Sequence, residues 1–142
     1  MANTEYEITI GNKKIKLPVE ALFTLELPDK FLLLLHWGSS KRSIYNTRRN
    51  IWCFNKTTGE KLWEIQESSG DKNRDGRDTY VGFWVHSKKN PGTRISVSVD
   101  EKGEKVSEWK NEDYVIQTRT FCEWTYDVDL NTGKTSNPKY SR

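Results

Sequence analysis

The sequence predicts an all-β protein of about ten or eleven short antiparallel strands, because apolar or alternating segments recur between turn residues. No stretch of about eleven residues keeps the 3.6-residue apolar period of an amphipathic helix. Six Trp, six Tyr and five Phe concentrate the apolar surface in large side chains, although only 34% of the residues are hydrophobic. Such side chains suit thin sheets that pack face to face. The length of 142 residues fits one domain, residues 1–142.

The predicted strands follow one another along the whole chain. A first hairpin joins residues 5–10 and 14–17 through Gly11-Asn12, a dipeptide suited to a tight turn. The other strands are predicted over residues 21–27, 31–37, 50–54, 61–66, 80–86, 94–99, 105–109, 114–120 and 121–130, with a bend between the last two as an option. They can form either a propeller-like stack of small sheets or two packed sheets.

Three segments share one turn pattern. In residues 53–63, the clearest copy, Asn55 precedes Thr58-Gly59 and Trp63 follows. Residues 127–134 have Asp129 at the position of Asn55 and repeat the Thr-Gly pair, and Asn137 follows at the position of the Trp. Residues 98–105 are a looser copy. The Asn or Asp side chain accepts hydrogen bonds from backbone N–H groups, and Gly supplies the positive φ that closes the turn.

This pattern resembles the blade repeat of quinoprotein-type β-propellers, whose consensus runs Ala-x-Asp-x-x-Thr-Gly-x-x-x-Trp. Residues 53–63 match it with Cys53 for Ala and Asn55 for Asp. The resemblance implies a structural motif that docks one blade onto the next, and it implies no quinone cofactor. The glycines are irregularly spaced, and the chain is short for a propeller of four or more blades. Three ordinary hairpins that each need a glycine turn are the alternative.

The charge distribution does not single out nucleic acid as a partner. Lys and Arg exceed Asp and Glu by only 23 to 20. Two groups of basic residues are the candidates for a clustered basic face: Lys41, Arg42, Arg48 and Arg49, and then Lys88, Lys89 and Arg94. Solvated loop charges explain both groups. Binding of single-stranded nucleic acid, with aromatic side chains stacking on bases, is the alternative.

Several features predict a cytoplasmic protein with reduced cysteines. Cys53 and Cys122 lie far apart in the sequence without a CxxC spacing. The opening MANTEYEIT lacks the basic and apolar regions of a signal peptide. The apolar run of residues 31–35 is far too short to span a membrane, so no membrane association is expected.

Residues 67–78, ESSGDKNRDGRD, partly match a calcium loop. Asp71, Asn73, Asp75 and Gly76 meet the first half of the pattern, in which oxygen ligands alternate before a sharp turn. The closing carboxylate is missing, because position 82 is Gly, and three basic residues lower the negative charge. We therefore interpret the stretch up to Asp78 as a charged connection between strands, with calcium binding left open.

No residue pattern predicts catalysis, a metal or a cofactor. His36 and His86 each end an aromatic strand, and with one cysteine they would supply at most three zinc ligands. The chain has no G-x-S-x-G elbow and no glycine-rich phosphate loop. A divergent metal-dependent hydrolase that uses His36, His86 and residues 71–78 is the alternative.

The leading hypothesis is a non-catalytic module that binds another protein, in one form a small inhibitor or immunity-type protein. Long loops often carry function, and Trp, Tyr and Arg dominate binding energy at interfaces. The predicted binding residues belong to the long polar loop and its surroundings: Trp37, Arg42, Tyr45, Arg48 and Arg49, with Trp84 and His86 beside it. Core packing is the alternative for each Trp, and it is the favoured interpretation for Trp63 and Trp109. Homo-oligomerisation is a further hypothesis, because a second copy can cover unpaired sheet edges.

Overall fold

The computed structural model describes residues 6–38, 44–67, 79–87, 94–97, 104–105 and 114–140. These residues form twelve strands and one 3-10 turn (Thr47–Arg49), which confirms the all-β class. The strands are β1 (Tyr6–Ile10), β2 (Lys13–Leu17), β3 (Ala21–Glu26), β4 (Lys30–Leu35), β5 (Ile51–Asn55), β6 (Lys61–Glu64), β7 (Tyr80–Ser87), β8 (Arg94–Val97), β9 (Glu104–Lys105), β10 (Tyr114–Thr120), β11 (Trp124–Val128) and β12 (Thr135–Tyr140).

The strands form three sheets that stack as layers. The hairpin β1–β2 is one layer. The middle sheet has the order β6-β5-β4-β3-β9, and the outer sheet has the order β12-β11-β10-β7-β8. Neighbouring strands are antiparallel except the two-residue β9, which runs parallel to β3.

The main core lies between the middle and outer sheets. The middle sheet contributes aliphatic side chains such as Leu32 and Leu34, together with Cys53 and Trp63. The outer sheet contributes Tyr80, Phe83, Val85, Ile116, Tyr126 and Val128. Burying this many aromatic and aliphatic side chains, at about 1.5–3 kcal/mol each, is the principal force that holds the two sheets together.

A second core lies between the middle sheet and the hairpin. Leu33, Leu35 and Phe54 on the middle sheet pack against Ile10 and Leu17 of the hairpin. The continuous apolar run of β4 follows from this position, since a strand that is covered on both faces needs apolar side chains at every residue. Leu32 and Leu34 therefore face one core while Leu33 and Leu35 face the other.

Most predicted strands are present, and the differences lie at edges and turns. The single prediction over residues 121–130 is wrong at its start, because a turn occupies residues 121–123 and β11 begins at Trp124. Strand β12 was not predicted, since its sequence TSNPKY is polar and contains Pro138. An exposed edge strand needs no apolar pattern, and Pro is tolerated there because one side of the strand has no hydrogen-bonding partner.

Two of the three predicted repeat turns are described, and they have the same geometry. Asn55 Oδ1 accepts from the backbone N–H groups of Thr57 and Thr58, and Asp129 Oδ1 accepts from that of Asn131. Each turn closes on a glycine with φ of 76°, Gly59 and Gly133. The backbone N–H of each glycine donates to the carbonyl of the first turn residue, at 2.8 and 2.7 Å. The third copy falls largely outside the described residues.

These turns also connect the layers. Trp63, from the hairpin that contains Gly59, lies on Gly133 of the outer sheet, and its Nε1 donates to the Leu130 carbonyl at 2.8 Å. Gly11 of the first hairpin packs against the Thr57 carbonyl of the middle sheet. Each layer therefore contacts the next at a turn glycine, where a side chain would not fit.

Candidate functional site

The structure places the predicted binding residues in two separate regions. Tyr45 packs against the hairpin-side core, and Arg48 and Arg49 lie in the 3-10 turn that follows it. Trp84 and His86 are on β7, on the face of the outer sheet that points away from the main core, since they alternate with the buried Phe83 and Val85. Both large sheets therefore separate Trp84 and His86 from Tyr45. Arg42 lies outside the described residues.

Tyr45 and Trp52 anchor the segment that carries the predicted loop residues. The Tyr45 hydroxyl donates to the His36 carbonyl at 2.7 Å, and its ring meets Trp52 edge-on with centroids 6.2 Å apart. Burial raises the pKa of Tyr45 above its ordinary value, so the phenol stays protonated. Trp52 Nε1 donates to the Arg49 carbonyl at 2.9 Å, which fixes the 3-10 turn on β5.

Arg48 and Arg49 are held by carboxylates from β6 and the residues after it. Arg48 lies 3.1 Å from Glu67, which also accepts from the Asn46 side chain at 2.7 Å. Arg49 Nε lies 3.7 Å from Glu64. Glu64 also contacts Lys61, whose ammonium stands 3.5 Å from the centroid of the Trp52 ring. Both arginines are thus oriented by carboxylates of the same chain, while about two fifths of each side chain stays exposed.

Trp37 is a partly buried residue that packs on the main core. Its ring packs against the main core, which matches the core-packing alternative for this residue, and it stacks at a tilt on His36 with centroids 6.1 Å apart. His36 Nδ1 accepts from the Gly38 N–H at 2.9 Å. Trp63, which was also expected in the core, is buried there, and Trp109 lies outside the described residues.

Two exposed apolar side chains lie at the same end of the sandwich as the arginines. Phe121 is 67% exposed at the tip of the turn between β10 and β11, and Ile44 is 54% exposed just before Tyr45. The Phe121 N–H donates to the Thr79 carbonyl, and the Thr79 hydroxyl donates to the Thr47 carbonyl. We define the loop end as residues 44–49 together with the turn 121–123. These hydrogen bonds hold its two parts together through Thr79.

The turn that carries Phe121 has an unusual backbone. Glu123 adopts φ of 72°, a region that residues other than Gly enter rarely and at a cost of about 1–2 kcal/mol. The Thr120 hydroxyl accepts from the Trp124 N–H at 3.0 Å, and Arg119 lies 3.4 Å from the Glu123 carboxylate. The chain thus holds a strained turn that projects a large aromatic side chain into solvent.

Phe121 was not predicted as a site residue, because an apolar residue that extends a strand is normally assigned to the core. The signal that could have identified it is the adjacent pair Thr120-Phe121, which breaks the alternation of β10. Buried positions in β10 are Ile116, Thr118 and Thr120, so Phe121 falls out of phase with the core face.

The second region is a polar row across the outer face of the outer sheet. Trp84 Nε1 donates to Gln117 Oε1 at 3.3 Å, and Gln117 Nε2 donates to Asp127 Oδ1 at 2.8 Å. Asn137 Nδ2 donates to the other Asp127 oxygen at 2.8 Å. His86 stacks at a tilt on Trp84, with centroids 6.0 Å apart. The row ties four strands together, so its side chains satisfy one another across the sheet.

Metal and thiol chemistry find little support in the described part of the chain. Among these residues no group of three or more His, Cys, Asp or Glu is arranged to hold a metal ion. Residues 71–78, the calcium-like stretch, lie outside that part. Both cysteines are free thiols. Cys53 is buried in the main core, and burial raises its pKa to about 12, so the reactive thiolate is disfavoured there.

No helix in the described ranges has the length and apolar character needed to cross a bilayer. Comparison with protein-family models, with curated proteins and with solved structures finds no match for this chain. The function is therefore inferred from the geometry of the loop end and of the polar row.

Proposed function

We propose that this chain is a non-catalytic protein-binding module whose partner binds at the loop end. The observation that carries the proposal is the exposure of Phe121 and Ile44, two large apolar side chains fixed at one end of the sandwich. Exposed apolar patches rimmed by polar residues are typical of surfaces that bind other proteins, and the proposal is that these two side chains belong to one such patch. Aromatic and Arg side chains at the centre of such surfaces supply most of the binding energy.

The rigidity of the loop end supports the proposal. Thr79 bonds both parts of this surface, and Arg48 is oriented by Glu67. A surface that is ordered before binding loses little conformational entropy on association, which favours affinity. Strained backbone conformations cluster at binding and active sites, and Glu123 at the loop end has one.

In its narrower form the proposal is a small inhibitor or immunity-type protein that acts in the cytoplasm by covering a surface of its target. The size of the chain and the lack of catalytic motifs in the sequence support this form. The proposal also keeps the likeness to the quinoprotein blade repeat, which the matching turns at Gly59 and Gly133 and the Trp63 contact support.

The test is a pull-down from a lysate of the source cells with four baits, resolved by mass spectrometry. The baits are the native protein, Phe121→Ser, Arg48→Ala, and Leu62→Ser as a matched control. Leu62 is also an exposed apolar side chain, 41% exposed, but it lies on β6 outside the loop end. We expect a protein that the native and control baits retain and that both loop-end variants lose.

The same experiment distinguishes the alternative functions. All baits must first show the same β-sheet circular dichroism, because the argument requires folded variants. A partner that all four baits retain would contradict binding at the loop end. Recovery of nuclease-sensitive RNA or DNA in place of a protein would favour single-stranded nucleic-acid binding.

A further inference from the structure

We propose that His36 is a pH-dependent switch that exchanges its hydrogen-bonding partner when it takes up a proton. The neutral ring holds the backbone of Gly38, where the chain has left β4, and the charged ring releases Gly38 and binds the Glu20 carboxylate. The switch goes beyond the proposed function and does not depend on the nature of any partner.

The structure shows the neutral state of this switch. His36 Nδ1 accepts from the Gly38 N–H at 2.9 Å. A ring nitrogen accepts only while it carries no proton, so the proton of the neutral imidazole is on Nε2. Nε2 faces Glu20, whose Oε1 lies 4.0 Å away. That distance exceeds the length of a hydrogen bond, so the ring is bonded to Gly38 and not to Glu20.

Protonation changes which of the two partners the ring can bind. The second proton enters at Nδ1, and the Gly38 N–H then faces an N–H group in place of a lone pair. The hydrogen bond between them is lost. Hydrogen bonds between ionised groups are shorter than neutral ones and roughly twice as strong. A rotation of the charged ring toward Glu20 therefore replaces the bond to Gly38.

The backbone around His36 is fixed without the use of the ring. The His36 N–H donates to the Glu20 carbonyl at 3.0 Å, and the Tyr45 hydroxyl donates to the His36 carbonyl at 2.7 Å. Neither bond involves a ring nitrogen, so both remain after protonation. The His36 side chain is 35% exposed, which gives protons access to it from solvent. The change is therefore confined to the ring and to the chain that begins at Gly38.

The groups next to the ring favour this exchange. Two titratable groups contact His36 in the described part of the chain, the Glu20 carboxylate and the Tyr45 hydroxyl. Burial raises the pKa of Tyr45, so this phenol stays a neutral donor. Carboxylates are ionised and histidines change charge between about pH 5 and 8. We expect the exchange within that range.

The test is an NMR titration of isotope-labelled native protein from about pH 8 to about pH 5. Long-range proton–nitrogen spectra report which ring nitrogen of each histidine carries a proton, and backbone amide spectra report the hydrogen bond of Gly38. We expect the proton on Nε2 of His36 at the alkaline end. As the pH falls, the Gly38 amide proton should move upfield because it loses its acceptor, with the same midpoint as the His36 ring.

Three variants test the parts of the switch, and their amide spectra show that each is folded. Glu20→Gln removes the charge that the protonated ring binds, so the common midpoint should move to lower pH. His36→Gln should abolish the pH response of Gly38. His86→Gln is the matched control, because it removes the other histidine of the chain, on β7, and it should leave the Gly38 response unchanged.

Several results would overturn the switch. One is a Gly38 amide that stays constant while the His36 ring takes up its proton, and another is a proton on Nδ1 at the alkaline end. A midpoint that Glu20→Gln leaves unchanged would show that the charged ring does not bind Glu20. A His36 ring that takes up no proton in the whole range also excludes the switch. The lysate experiment decides the proposed function independently of these results.

Discussion

The Trp63 indole lies on Gly133 so closely that a β-carbon at position 133 would stand 2.5 Å from Trp63 Cε3. The same indole donates its N–H to the carbonyl of Leu130, three residues before that glycine. A side chain of the middle sheet is thereby fixed to a turn of the outer sheet. Gly133 serves two purposes there, because its φ of 76° closes the turn and its missing side chain admits the ring.

Replacing Gly133 by Ala should therefore lower the free energy of unfolding by about 2–5 kcal/mol. The left-handed backbone costs an alanine about 1–2 kcal/mol, and overpacking against Trp63 adds about 1–3 kcal/mol. Urea unfolding followed by fluorescence measures the change. In a Trp63→Leu background the same substitution should cost only the backbone part, and an unchanged cost would show that the ring contact is not what limits this position.

Asn50 connects the two large sheets at a buried position. Its side-chain nitrogen donates to the carbonyls of Leu35 and Tyr80, at 3.2 and 2.8 Å, and its oxygen accepts from the Tyr80 N–H. Asn50→Ala would leave buried backbone groups without their partners, at about 1–3 kcal/mol each. We expect a loss of at least about 2 kcal/mol in thermal or urea unfolding. The exposed Asn131→Ala is the control and should change stability by less than about 0.5 kcal/mol.

Because the Cys53 thiol is buried, we expect the folded protein to lose stability at alkaline pH. The pKa of this thiol is raised from 9.0 to about 12 in the folded protein, chiefly by burial. Between these pH values the unfolded chain loses the thiol proton while the folded chain keeps it, so unfolding becomes more favourable as the pH rises. This thiol should contribute a slope of about 1.4 kcal/mol per pH unit in that window and nothing below it.

Urea unfolding of native protein and Cys53→Ala at several pH values from 8 to 11 tests this effect. The variant should be less stable at neutral pH because of the cavity, but its stability should fall less steeply with pH. Equal slopes would contradict the prediction. Tyr45 titrates in the same direction in both proteins and so cancels in the comparison, because burial raises its pKa as well.

The Arg48–Glu67 pair should matter little for stability. The two side chains are more than one third exposed, and exposed ion pairs contribute about 0–1 kcal/mol. A double-mutant cycle with Arg48→Ala and Glu67→Ala should give a coupling energy within that range. A larger coupling would mean that Arg48 maintains the fold, and a loss of partner binding by Arg48→Ala would then need a structural explanation.

The strands of the two cores could be predicted because the spacing of their apolar residues reflects which faces of each strand are buried. The run of Leu32, Leu33, Leu34 and Leu35 follows from a strand that is covered on both faces. In β10 the buried Ile116, Thr118 and Thr120 alternate with half-buried residues, which marks a strand whose one face packs on the core. Strand β12 has neither pattern, since its side chains contact solvent and only its backbone makes it a strand.

The placement of the proposed binding residues was predictable only in part. Tyr45, Arg48 and Arg49 lie in one segment, as their positions in the long polar loop indicated. The sequence could not show that Trp84 and His86 lie across both sheets from Tyr45, because nothing in a strand pattern fixes how two sheets stack. Phe121 was not predicted because an apolar residue next to a strand is normally assigned to the core, and the left-handed backbone of Glu123 in the same turn has no signal in the residue type.

The position four residues after each described turn glycine also determines whether a sheet can anchor a further layer. After Gly59 this position is Trp63, which anchors the next sheet, and after Gly133 it is Asn137, whose amide is bound to Asp127. The face of the outer sheet that points away from the main core thus has a polar group where a further layer would require an apolar anchor. Terminal units of stacked proteins need such a polar face to stay in solution. Lengthening this protein by duplicating its hairpin would therefore fail until Asn137 and Asp127 were first exchanged for apolar residues.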